Sequence, residues 1–206
     1  MLRVKICGIT DRNDARCAVD SGADAVGVVL ARSPRRVDAA TARSIARAVQ
    51  PKAAVVGVFV DESPERMLRL GEYCGLDVIQ LHGDESERVI RRLQKRGFQV
   101  IKALRAQNAD DMKRASETGA DALLFDTVAS GRFGGTGRIF DWKILKKMEI
   151  LLPWFVSGGL NTGNVKELLS VVEPCGVDVS SGVESAPGKK SVKLVKEFIK
   201  NARSAR

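Results

Sequence analysis

Cys7, His82, Asp126 and Asp178 are the residues of this chain best placed to move protons. Each lies in or at the end of a short apolar run: Val4-Lys5-Ile6-Cys7, Val78-Ile79-Gln80-Leu81-His82, Ala122-Leu123-Leu124-Phe125-Asp126 and Val177-Asp178-Val179. A carboxylic acid beside a basic sulfur can donate a proton to one atom of a substrate and withdraw one from another, with no metal to polarise it. A thiol near its reference pKa of about 8.5 is only a few per cent ionised at neutral pH, so a thiolate base needs a cation close by. Lys5, one layer below Cys7 on the same strand face, is placed to lower that pKa. Asp126, were it the acid of such a pair, would have the opposite need, a proton held near neutrality, which apolar neighbours such as Leu124 and Phe125 would favour. Taken singly, a buried cysteine is a small hydrophobe, a terminal aspartate caps a turn, and a rim histidine bonds to backbone. Carboxylates closing otherwise apolar strands are harder to explain that way.

The elements that must position these groups are announced by a recurrence. Gly-apolar-Asp-apolar occurs at Gly22-Ala23-Asp24-Ala25, Gly75-Leu76-Asp77-Val78, Gly119-Ala120-Asp121-Ala122 and Gly176-Val177-Asp178-Val179. Each copy reads as a helix end closed by a left-handed glycine, followed by a strand. The spacing is about twice one strand–helix unit, and a further apolar strand lies between copies, which predicts eight units. Strands are expected at 3–9, 23–30, 53–60, 77–82, 99–105, 121–127, 154–158 and 177–181, and helices at 11–21, 39–50, from Ser63-Pro64-Glu65, 86–96, 109–118, from Asp141, 163–172 and at the carboxyl end. The fold class is therefore α/β, a single-domain (β/α)8 TIM barrel over residues 1–206, with its site at the carboxyl ends of the strands. A doubly wound sheet would usually place a Gly-rich phosphate turn after its first strand, where this chain has Cys7-Gly8-Ile9-Thr10. Strand parity puts Cys7, Asp126 and Asp178 in one mouth.

At 206 residues and 44% hydrophobic, the chain can bury roughly 70% of its unfolded surface. Four cysteines without C-x-x-C spacing and a single histidine argue against structural zinc and for a reducing, cytosolic home. No apolar run reaches the roughly 18 residues of a membrane span. The net charge of +9 reads as solvated helix faces: in the last helix Val192, Val195, Phe198, Ile199 and Ala202 form the apolar stripe and lysines fill the rest. With one Tyr and no basic run interleaved with aromatics, nucleic-acid binding is disfavoured. Some of the charge suits a small anionic substrate.

The late loops sharpen that reading. Ser157-Gly158-Gly159 and Ser180-Ser181-Gly182 leave two adjacent strands, and their backbone N–H groups can converge on a phosphate. Gly134-Gly135-Thr136-Gly137 reads as a plain loop or a mobile lid.

Ile6-Cys7-Gly8-Ile9-Thr10, Ser33-Pro34-Arg35, Gln80-Leu81-His82-Gly83, Asp126-Thr127, Gly134-Gly135-Thr136-Gly137 with Phe140-Asp141-Trp142, Ser157-Gly158-Gly159-Leu160 and Asp178-Val179-Ser180-Ser181-Gly182-Val183-Glu184 together resemble the phosphoribosylanthranilate isomerase family, in order and spacing, from residue 3 to about 200. The resemblance implies an Amadori rearrangement in tryptophan biosynthesis, with neither cofactor nor metal. It implies Asp126 as general acid and Cys7 as general base. Arg35 is implied for the anthranilate carboxylate, though Arg36 follows it directly. His82 and Asp178 are implied as further substrate contacts, and Gly158, Gly159, Ser181 and Gly182 for the phosphate. Taken with the composition, the expectation is a cytoplasmic enzyme, monomer or homodimer, with no nucleic-acid or membrane partner. The family's aromatic residues in strand two are here Val28 and Leu30, and Ser191 stands where a helix-start aspartate is usual. The related histidine-pathway isomerase would be expected to use aspartates ending strands one and five, where this chain has Cys7 and Ala103-Leu104-Arg105.

Overall fold

The computed structural model describes residues 1–105, 118–126, 142, 145 and 151–205. Eight parallel strands stand in chain order and close on themselves, the last pairing with the first. They are β1 (Arg3–Ile6), β2 (Ala25–Val29), β3 (Ala54–Phe59), β4 (Val78–Leu81), β5 (Gln99–Arg105), β6 (Ala122–Asp126), β7 (Trp154–Ser157) and β8 (Gly176–Val179). The described helices are α1 (Arg12–Asp20), α2 (Ala39–Val49), α3 (Pro64–Cys74), α4 (Glu87–Gln94), α5 (Val165–Val171) and α6 (Val192–Ser204). An antiparallel pair that sequence reasoning did not foresee, β9 (Glu184–Ala186) with β10 (Lys189–Lys190), follows β8. The expected helix at 109–118, the segment 128–139 with its Gly134–Gly137 loop, and the short helix from Asp141 lie outside the described residues, except Thr118, Trp142 and Leu145.

The period of two sorts the side chains into two layers. Val56, Val78, Ile101, Ala103 and Leu124 fill the barrel interior, with Ala25, Ala122 and Phe155 against them. Val4, Ile6, Val26, Val28, Val55, Ile79, Leu81, Leu123, Phe125 and Val177 face the helices. In α6, Val195, Phe198, Ile199 and Ala202 are buried, as their spacing predicts. Val192, expected in the same stripe, is 51% exposed, because it opens the helix and the face that meets the barrel begins a turn later.

Three of the four Gly-apolar-Asp copies do one job. Gly22, Gly75 and Gly119 take positive φ, and the aspartate two residues on accepts the N–H of the second residue of the preceding strand. Asp24 accepts from Val4 (2.7 Å), Asp77 from Val55 (2.8 Å) and Asp121 from Val100 (2.7 Å). Each aspartate thus ties two neighbouring strands at the foot of the barrel. The fourth copy departs from the expected logic. Gly176 is itself a strand residue paired with Arg3 and Phe155, and any Cβ there would meet the Phe155 ring. That register carries Asp178 into the interior instead of the foot.

Replacing Asp77 by Ala is expected to lower stability by about 1–3 kcal/mol, because the buried Val55 N–H loses its acceptor. Asp77→Asn keeps a carbonyl there and should lose much less. Urea unfolding of the two variants beside the wild type checks this.

Candidate active site

The groups expected to do chemistry meet where the strands end. β1 turns Lys5 inward, and Cys7 follows it two residues on. β8 sets Asp178 level with Lys5 in the register of the β1–β8 ladder. The Lys5 ammonium, 1% exposed, donates to Asp178 Oδ2 at 2.9 Å and to Gln80 Oε1 at 2.8 Å. Gly27 of β2 leaves the space they need, since a Cβ there would press on Cys7 Sγ and Lys5 Cε. Asp178 Oδ1 is buried and has no partner among the described residues.

Charge in this cluster is balanced differently from the expectation. Burial pushes the Cys7 thiol above its ordinary value; Lys5 pulls it down, Asp178 pushes it up and Lys190 pulls it down, and burial prevails. Lys5 therefore acts in the expected direction but does not win, because burial outweighs it and Asp178 adds to the upward push. Burial also works against the Lys5 ammonium, yet Asp178 and Cys7 outweigh it and hold its pKa above the usual lysine value.

Across the mouth, β4 and β6 supply a second pair. His82 Nε2 lies 3.1 Å from Asp126 Oδ2, and His82 Nδ1 lies 3.1 Å from Gln80 Nε2. Both ring nitrogens are thus engaged within the protein. Leu124 packs in the interior below Asp126, but Phe125 turns into the helix layer and stacks edge-on against Trp154, so it is no neighbour of the carboxyl.

Arg35 reaches the mouth over Gly8, where an added Cβ would strike Arg35 Cδ and Ser180 Oγ. Its Nε and Nη2 donate to both oxygens of Glu184, each at 2.7 Å, and Lys190 Nζ donates to the same carboxylate at 2.8 Å. Arg36 is exposed, its backbone bridging to Val29. Burial alone would raise the Glu184 carboxyl, but the bonds from Arg35 and Lys190 outweigh it and hold it below the usual glutamate value. A depressed carboxyl contributes stability that is complete above its unfolded pKa, about 4.3, and lost as pH falls through the lower folded value. The gap in Tm between wild type and Glu184→Gln should therefore be widest near neutrality and shrink in acid. Melts from about pH 7 down to about pH 3 test it.

The late loops are pressed together. Gly158 and Gly159 have φ of 90° and 65°, and Asn161 bridges to Gly182, whose missing side chain admits the Leu160 carbonyl. The Asn164 side chain holds the first loop, accepting from Asn161 N at 2.9 Å and donating to Gly159 O at 3.0 Å. Ser191 replaces the family's aspartate as the cap of α6, accepting from Leu194 N.

Every residue expected at the site lies at this end of the barrel. Sequence reasoning passed over Gln80, Gly27, Glu184 and Lys190 as working parts. Gln80 had a signal, being a polar residue on the inward face of an apolar strand; the Glu184–Lys190 pair had none, since it depends on the β9–β10 turn. Val28, one of the two residues standing in place of the family's strand-two aromatics, faces the helices. Among the described residues no group of histidine, cysteine and carboxylate side chains could hold a metal ion, and no helix is long and apolar enough to cross a membrane.

A closed parallel barrel with a thiol, a carboxyl and a held arginine at the carboxyl ends of its strands defines a barrel enzyme that moves protons on a small anion. The family model for N-(5'phosphoribosyl)anthranilate (PRA) isomerase matches residues 4–201. The N-(5'-phosphoribosyl)anthranilate isomerase of Desulforudis audaxviator is 46% identical, with all of both chains covered. The crystal structure of phosphoribosyl anthranilate isomerase from Thermotoga maritima superposes with a TM-score of 0.92 at 45% identity, covering 99% of this chain and 100% of that one. A further phosphoribosyl anthranilate isomerase structure, in complex with reduced 1-(o-carboxyphenylamino)-1-deoxyribulose 5-phosphate, gives 0.89 at 43%, with 99% and 100% covered. The chain belongs to the phosphoribosylanthranilate isomerase family, and its reaction is the isomerisation of N-(5'-phosphoribosyl)anthranilate in tryptophan biosynthesis.

Proposed function

We propose that Asp126 is the general acid and Cys7 the general base of this isomerisation, within one domain spanning residues 1–206. Asp126 gives its proton to the ribose ring oxygen as the C1–O bond breaks, and the anthranilate nitrogen lone pair forms the C1=N iminium. Cys7, as thiolate, then takes the C2 proton. The C2–H electrons form C1=C2, the C1=N pair returns to nitrogen, and the enol relaxes to the 2-ketone. The observation that carries this reading is the convergence of the Lys5–Asp178 pair beside Cys7 with the His82–Asp126 pair from the facing strands.

The remaining contacts follow from the donors left over. Glu184 occupies the Nε–Nη2 edge of Arg35, which leaves the Nη1 edge for the anthranilate carboxylate. Asp178 Oδ1 suits a sugar hydroxyl, and Gly158, Gly159, Ser181 and Gly182 the phosphate. His82 acts on substrate through Asp126. The enzyme works in the cytoplasm as a monomer or homodimer; a dimeric T. maritima relative, 42% identical, has also been obtained as monomers.

Purified protein should convert N-(5'-phosphoribosyl)anthranilate in an optical assay, unaffected by a chelator and competitively inhibited by inorganic phosphate. Absence of turnover defeats the reading. Arg35→Lys, which forfeits charge-assisted bonds to a planar carboxylate, should raise KM about 10- to 100-fold with little change in kcat.

A further inference from the structure

We propose that Gln80 is a positioning residue that selects the tautomer of His82 and thereby makes it a hydrogen-bond donor to Asp126. Lys5 fixes the orientation, because its ammonium can only donate. Its bond to Gln80 at 2.8 Å therefore requires the amide oxygen on that side. With the oxygen so placed, the amide nitrogen must face His82, where it lies 3.1 Å from Nδ1. An amide NH2 also only donates, so Nδ1 is the unprotonated acceptor and the ring proton sits on Nε2. That N–H points at Asp126 Oδ2, 3.1 Å away. The usual ambiguity over which way an amide or imidazole lies is thus removed by one donor-only group at the end of the chain. Gln80 is 1% exposed, and water has little access to compete for either of its bonds.

The consequence for the reaction rests on Asp126 being the acid. As Asp126 releases its proton to the ring oxygen, the Nε2–H bond strengthens on the carboxylate left behind. The opposite tautomer would present a lone pair there and oppose the developing charge. Gln80 also joins this pair to the Lys5–Asp178 pair beside Cys7, so one buried amide aligns both halves of the site.

The chain has one histidine, so [15N]histidine labelling of untagged protein gives a spectrum of His82 alone. In the neutral ring a proton is expected on Nε2 and none on Nδ1. A proton found on Nδ1 in the wild type overturns the proposal, whatever the activity. Gln80→Glu replaces the amide donor with an acceptor and should move the proton to Nδ1, with kcat at least about ten-fold lower and KM within about two-fold. Unchanged nitrogen shifts in that variant, or a moved proton with unchanged kcat, also overturn it. Should Asp126→Asn retain full turnover, the acid assignment fails while the tautomer result still stands, so the two failures are distinct.

Discussion

Cys7→Ala and Asp126→Asn are each expected to lower kcat by about 10²- to 10⁴-fold while leaving KM and the fold nearly unchanged. Alanine in place of Cys7 removes the base at a site where Gly27 already keeps the space clear, so no neighbour is forced to move. Asparagine in place of Asp126 keeps an oxygen for His82 Nε2 but cannot give up a proton. The roles separate by pH. Because burial holds the free thiol above its ordinary value, kcat/KM of the wild type should still be rising beyond about pH 8.5. Lys5 pulls that thiol down, so Lys5→Met should move the rise to still higher pH. A wild-type profile that is flat from about pH 7 upward, or turnover that survives either substitution, removes the corresponding role.

Lys5→Met is expected to be the most destabilising single change at the site, by about 3–5 kcal/mol, because it strands the Asp178 carboxylate in the barrel interior. Asp178 is 6% exposed and already carries one oxygen without a partner among the described residues, so no water-facing route relieves it. That loss is a large share of the 5–15 kcal/mol typical of a domain. Removing the second charge as well should restore most of it, since an apolar pair of similar volume often matches a buried ion pair. Urea unfolding of Lys5→Met, Asp178→Leu and the double variant gives the coupling directly. Additive losses would mean the two groups do not depend on each other. Recovery of stability without recovery of turnover would show that the pair is retained for chemistry.

The barrel was legible because its signals are local. Period-two runs, left-handed glycines after helices and capping residues each act over a few positions, and strand parity alone placed Cys7, Asp126 and Asp178 toward one mouth. The resemblance added roles to those positions. What misled was a motif read as uniform. Gly176-Val177-Asp178 matches Gly22-Ala23-Asp24 in letters, yet its glycine is a strand residue fitted against Phe155 and Arg3 and closes no helix, while its aspartate goes to the mouth as parity expects.

Residue types, their order and their faces were therefore determined by the chain itself: eight strands, a thiol and carboxyls on inward positions, glycine turns late. Only the tertiary structure decided how charge is shared among them. Lys5 meets Gln80 across 75 residues and Asp178 across 173, and Arg35 meets Glu184 across 149. No periodicity encodes such pairings. They arise when the barrel closes, water leaves, and each buried donor must find whichever acceptor the closure has brought within reach.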